Sequence, residues 1–194
     1  MKTLEIKGSL RSETGKKTTK AVRNADAVPC VVYGGKETAH FQVTNSELRH
    51  LIYTPEIFLV NLDIDGKKSN AILKDAQFHP VKDTILHVDF LEVFEDKPIV
   101  MNVPVKLEGL AEGVKAGGKL SQEMRKIRVK GLYKNVPEKL VINIEHLGLG
   151  KTIQIGALAF DNLEILTPKM NVVAAVKLTR AARGAAAAAA AGKK

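Results

Sequence analysis

The stretch QFHPVKDTILHVDF, Gln77 to Phe90, holds two of the chain's five histidines, His79 and His87, and a carboxylate, Asp89, two residues past the second. Side chains of these types at this spacing can hold a metal, exchange protons, or present a polar surface that reads another molecule. His79 with His87-x-Asp89 matches the ligand set of a two-histidine, one-carboxylate iron site. Strand alternation puts His87 and Asp89 on one face and Leu86, Val88 and Phe90 on the opposite, core-facing side, so the polar pair faces outward. An iron site of this kind needs an enclosed cavity and partners that orient its ligands, and the neighbouring sequence supplies neither. The outward polar surface is therefore preferred to the metal.

Other chemistry fails on context. GVKAGGKL, Gly113 to Leu120, has the spacing of a Walker loop, but Leu120 stands where a Ser or Thr must hold magnesium, and LSQEMRKIRVK passes into strand alternation instead of a helix. GKKTTK resembles the end of such a loop, with Leu10 in place of its first glycine. Cys30 lies in the apolar run VPCVVY, where a cysteine acts as a small buried hydrophobe and a poor nucleophile. No serine has a nucleophile-elbow context. The sequence therefore predicts no catalytic site, no metal, no cofactor and no small-molecule substrate.

Nucleic-acid recognition has positive support. RSETGKKTTKAVR packs Arg11, Lys16, Lys17, Lys20 and Arg23 among a glycine and hydroxyl side chains, and reads as a flexible loop leading into a short helix, suited to phosphates. Tyr33 ends a buried strand just before Gly34-Gly35, where its ring can stack on a base or its hydroxyl can reach a backbone. Gln77 and His79 share a parity, with Phe78 turned away, and Lys82 adds a donor. These groups can join His87 and Asp89 as one surface on adjacent strands. A carboxylate there accepts from base amino groups or a 2′-hydroxyl, or holds a basic side chain in place. The mixture suggests specific reading of RNA beside electrostatic attraction.

The elements that must position these groups are mostly strands, because period-2 alternation recurs throughout. TLEIKGSL puts Leu4, Ile6 and Leu10 on one parity, and VPCVVYGG runs as a buried strand into a turn. TNSELRHLIY is the convincing internal helix: Thr44 and Glu47 have capping-box spacing, Leu48, Leu51 and Ile52 make its apolar stripe, and Pro55 ends it. IFLVNLDIDGKKSNAILKDAQF predicts a hairpin about Asp65-Gly66, and TILHVDFLEVF closes the unit. Near residue 95 the pattern changes. Pro98 and Pro104 flank a short strand of edge character, and RKIRVKGL, KLVINIEHL, KTIQIGAL and NVVAAVKL follow as further strands. In RKIRVKG, alternation sets Lys126, Arg128 and Lys130 on one face.

The expected division is 1–94, 95–178 and a disordered, low-complexity basic tail, 179–194. Of 194 residues 45% are hydrophobic, enough for packed cores, and the net charge of +9 is unevenly spread. Residues 1–36 carry 8 basic and 3 acidic groups, residues 37–94 carry 5 and 9, and the tail from 179 carries 4 and none, a distribution that suits a polyanion partner. The single cysteine, the charged N-terminus and the absence of an apolar run near the roughly 18 residues of a membrane span predict a cytoplasmic protein.

GKKTTKAVR, VPCVVYGG, DAQFHPVKDTILHVDF and VPVKLEGLAEGVKAGGKL together closely resemble the bacterial large-subunit ribosomal protein twenty-five family, whose two-domain form is also called general stress protein Ctc. The similarity runs from about Leu4 to Leu178. It implies an N-terminal β-barrel with short helices that binds 5S ribosomal RNA, followed by a second, all-β domain. By position it implies RNA contacts at Arg11, Lys16, Lys20, Arg23, Tyr33, Gln77, His79, His87 and Asp89, to which the charge pattern adds Lys17 and Lys82. This chain departs from the family pattern at Lys20-Ala21, where an Arg pair is common; Lys17 is the candidate substitute. The expectation is a non-enzymatic component of the large ribosomal subunit, with neighbouring ribosomal proteins or RNA as partners of the second domain. The alternative is a stress-induced RNA-binding protein or chaperone acting off the ribosome; a metal-dependent oxygenase is a distant third.

Overall fold

Alternating apolar side chains close the N-terminal strands into a barrel. Ile6, Cys30, Phe41, Val60, Val88 and Phe90, one from each of several neighbouring strands or two positions apart along one, are all buried in a single core. The strands are β1 (Lys2–Leu10), β2 (Ala27–Tyr33), β3 (Ala39–Thr44), β4 (Phe58–Ile64), β5 (Lys67–Phe78) and β6 (Ile85–Glu92). They form a closed barrel in the order β1-β3-β2-β6-β5-β4. β1 runs parallel to β4, from Lys2 opposite Phe58 to Gly8 opposite Ile64, and β2 runs parallel to β6. The computed structural model describes residues 1–35 and 37–180; all but the first two residues of the expected tail lie outside them.

The Asp65-Gly66 hairpin forms as the sequence predicts. Ile64 pairs with Lys67, both turn residues have positive φ (48° and 88°), and the Gly66 amide donates to the Asp63 carboxylate. The helix α2 (Asn45–Tyr53) also forms, with Leu48 and Leu51 buried and Thr44 at its N-cap. The capping box does not: Thr44 makes no side-chain cap bond, and its Oγ1 accepts from the Ser46 hydroxyl at 3.3 Å. Leu10 departs from its parity set and is 54% exposed, because it is the last residue of β1, its amide held by the Asp65 carboxylate.

Two β-bulges alter the parity inferred from sequence. On β5, Leu73 pairs with Phe90 and Asp75 with Asp89, so Lys74 is an extra residue, and side chains beyond it change face. On β6, Gln77 faces His87 and Phe78 faces Ile85, which leaves Leu86 unpaired. Ile85 therefore occupies the core position and Leu86 is only half-buried, a correction to the alternation that placed Leu86 inside.

The chain divides into two units, Met1–Met101 with Leu132–Glu138, and Asn102–Gly131 with the chain from Lys139 on. In the first unit a small cluster outside the barrel core packs Ile72 and Val93 with Ile99, and Met101 and Tyr133 close over it. The second unit is built from sheets. β7 (Ile99–Glu108), β9 (Lys126–Gly131), β10 (Leu140–Asn143) and β12 (Glu164–Ile165) lie in the order β10-β7-β9-β12, while β8 (Lys119–Gln122), β11 (Thr152–Gln154) and β13 (Val172–Lys177) lie in the order β11-β13-β8. β7 is thus interior despite Pro104. β10 pairs with it only from Val105 on, so the ladder on that side begins just past the proline.

The glycine-rich segment 112–118 is a single helical turn, α3 (Glu112–Lys115), and a close approach. The Gly113 amide donates to Leu147 O and the Gly118 amide to Gly113 O, so these amides are not turned toward a phosphate. A Cβ at Gly118 would lie 2.5 Å from Val176 Cγ1. On β9, Ile127 and Val129 are buried, Lys126 and Arg128 are exposed, and Lys130 is paired with Glu164 at 3.1 Å.

Candidate nucleic-acid interface

Strand register assembles the polar face. Residues opposite one another on paired strands point the same way, so the row His40, Val31, Asp89, Asp75 crosses β3, β2, β6 and β5 on the outside of the barrel, and Gln77 lies beside His87 in the next row. The inward neighbours Cys30, Phe41, Val88 and Phe90 fix that orientation by burial. One row further, Tyr33 lies opposite Leu91 and Leu91 opposite Ile72, where the small apolar cluster begins. Tyr33 therefore stands at the border between a polar and a covered part of the same surface.

His87 Nδ1 lies 2.6 Å from Asp89 Oδ1, and both side chains are half-buried. The carboxylate accepts a hydrogen bond from Nδ1–H, which leaves Nε2 on the far side of the ring as the acceptor of the neutral imidazole. His79 is held the opposite way: its Nδ1 accepts the backbone N–H groups of Val81 and Lys82, each at 3.2 Å, which places the neutral ring's proton on Nε2. The two histidines thus present one acceptor and one donor. These contacts also use the nitrogens nearest each carboxylate and turn, and among the described residues no three His, Cys, Asp or Glu side chains come together as a metal site.

Asp75 was missed by the sequence reading. Only the bulge at Lys74 brings it outward opposite Asp89, with its Oδ1 accepting the Ala76 amide at 2.9 Å. Burial first, and then the Asp89 and Asp75 carboxylates, hold the Tyr33 hydroxyl above its usual pKa, so it remains a neutral donor. His40 was missed as well; it alternates with Phe41 and could have been found from the apolar pattern of AHFQV.

The cations come from α1 (Lys16–Asn24), the short helix into which the loop from Arg11 leads, as the sequence predicts. Lys16, Lys17 and Lys20 are exposed and fall within about a third of the helix circumference, opposite Val22. Arg11 is half-buried; its amide donates to His40 O at 2.9 Å, and its guanidinium reaches Thr19 Oγ1 and Glu13 O, both at 3.4 Å. α1 packs on β2, and Arg23, near its end, donates from Nε and Nη2 to Leu86 O at 3.0 and 2.8 Å. Lys82 is exposed in the turn that His79 closes. The barrel face and the lysine helix are thus built from contiguous elements: β2 follows α1, and β6 carries both Leu86 and the His87/Asp89 pair.

The first unit is thus a closed barrel with an outward polar row and an adjoining cationic helix, and the comparison with known proteins gives its family. Residues 6–90 match the ribosomal L25p family, and residues 98–180 match the C-terminal domain of ribosomal protein TL5. The chain is 63% identical over 194 residues to the large ribosomal subunit protein bL25 of Bacteroides fragilis, covering 97% of this chain and 99% of that one. It is 62% identical to the protein of the same name from Bacteroides thetaiotaomicron, with the same coverage, and 58% identical over 188 residues to that of Porphyromonas gingivalis, covering 96% and 98%. The chain belongs to the ribosomal L25p family, whose members are structural ribosomal proteins and not enzymes.

Proposed function

We propose that the protein is a component of the large ribosomal subunit in the cytoplasm, and that its barrel binds 5S ribosomal RNA. The relatives carry the name of a large-subunit protein, and they match 97% of this chain. The observation that carries the RNA reading is the register that sets Gln77, His87 and Asp89 side by side on the barrel's outer face beside the lysine-bearing α1. In this reading Lys16, Lys17, Lys20 and Arg11 meet phosphates, while Gln77, His79, His87, Asp89 and Tyr33 meet base edges and ribose hydroxyls of the shallow minor groove. Lys82 and Arg23 extend the basic rim. Lys126 and Arg128 on β9 are the candidate contact of the second unit with neighbouring RNA or protein.

The test compares binding of the full chain to 5S ribosomal RNA and to an unrelated RNA of equal length at several salt concentrations. A marked preference for 5S RNA, together with retention on large subunits through a salt wash, is the expected result. Equal affinity for the two RNAs would remove the proposal.

A further inference from the structure

Leu86 has no cross-strand partner. It is the extra residue of the β6 bulge, and β2 pairs with β6 only from Val88 on. Arg23 fills the vacancy. Its Nε–H and Nη2–H both donate to the Leu86 carbonyl, at 3.0 and 2.8 Å, from near the end of α1 to the residue immediately before His87. Apart from its packing on β2, through which Thr18, Thr19 and Val22 are half-buried, the helix is weakly anchored: it is nine residues long, has no fully buried residue and has no side-chain N-cap bond. A helix of that length does not persist in water without tertiary contacts. The other side-chain tether at its base, Arg11 to Thr19, is long at 3.4 Å.

We infer that Arg23 is a positioning residue, whose guanidinium fork fixes the cationic helix to the strand carrying His87 and Asp89 and so sets the spacing between phosphate contacts and base readers. The inference rests on the RNA-binding reading above. It assigns Arg23 a different task from Lys16, Lys17 and Lys20, which project freely from the same helix. It also explains why the residue must be arginine. A lysine keeps the charge but is a point donor on a flexible stem and cannot fork onto one oxygen.

The test uses the full chain with Arg23→Lys and Arg23→Met. Without RNA, amide hydrogen exchange in residues 19–24 is expected to rise about ten-fold in both variants, with β4 and β5 unchanged, as local release of one element requires. With RNA, Arg23→Lys is expected to bind 5S RNA about ten-fold more weakly at an unchanged salt slope, and to bind an unrelated RNA as the wild type does. Full recovery of 5S affinity in Arg23→Lys, with a slope reduced by roughly 0.7–0.9 in Arg23→Met, would make Arg23 an ordinary phosphate contact. Unchanged helix exchange in both variants would likewise overturn the tether. A wild-type chain with no preference for 5S RNA would overturn the RNA reading instead, while the exchange experiment still decides the tether.

Discussion

His87 and Asp89 point the same way across one intervening strand residue, and their Nδ1 and Oδ1 atoms lie 2.6 Å apart on a half-buried outer face. The pair does not hold the barrel together: its inward neighbours Val88 and Phe90 do that. Asp89→Asn keeps the shape but removes the charge and one acceptor. Affinity for 5S RNA is expected to fall by about 1–3 kcal/mol, with little change for an unrelated RNA. The melting temperature should stay within a few degrees of wild type; loss of the folded state would show that the pair is structural.

Lys16, Lys17 and Lys20 are expected to behave oppositely. They lie on an exposed helix face, so their replacement by Ala should weaken binding to every RNA and flatten the salt dependence by roughly 0.7–0.9 per lost contact. Titrations at a series of salt concentrations check this. A triple variant with the wild-type slope would place the phosphate contacts elsewhere.

Much of this was readable from alternation. The mainly β architecture, the Asp65-Gly66 turn, the apolar stripe of α2 and the outward direction of His87 and Asp89 all follow from local pattern, because burial on one side enforces the period. The bulges did not follow. Nothing in AILKDAQF says that Lys74 is extra, yet that single residue turns Asp75 and Gln77 outward, and the residue skipped at Leu86 creates the site that Arg23 occupies. A bulge is a property of two strands in register, so one strand's sequence does not encode it. The same applies to Pro104: its own residue type suggests an edge, and only the late start of β10 shows how an interior strand accepts it.

Cys30 supplies a chemical probe of the barrel. It is fully buried, with its thiol 3.5 Å from Val28 O, and burial first, then the Asp89 charge, push its pKa up to about 12. A thiol-specific reagent at neutral pH should therefore label it only through opening of the barrel. The linkage has a definite sign: the unfolded thiol loses its proton near pH 9 and the folded one near 12. The folded state holds more protons between these values, so stability should fall by about 1.4 kcal/mol per pH unit there. Cys30→Ala should make that slope shallower by the thiol's share, leaving what Tyr33 and other raised groups contribute, and a variant with the full wild-type slope would place the titration at another group.

Ile72 decides how much of the chain the barrel needs. It points away from the barrel core, is fully buried, and is covered by Val93 and Ile99 together with Met101 and Tyr133. Tyr133 is also hydrogen-bonded to Glu95 at 3.3 Å, although it lies within the span that matches the TL5 C-terminal domain. A fragment of residues 1–94 keeps Val93 and the flanking Met1, Leu59 and Leu91 but loses Ile99, Met101 and Tyr133. Full burial of an isoleucine contributes about 1.5–3 kcal/mol, and the fragment uncovers Ile72 only in part, so it should be less stable than the barrel of the full chain by up to about that amount. Extending it to residue 101 restores Ile99 and Met101 and should recover part of the loss, while Tyr133→Ala in the full chain should lower barrel stability by about 1–3 kcal/mol. Denaturant titrations followed by amide exchange at Ile72 separate the cases. Equal stability of the 1–94 and 1–101 fragments would show that the Ile72 cluster is not part of what the barrel needs to fold.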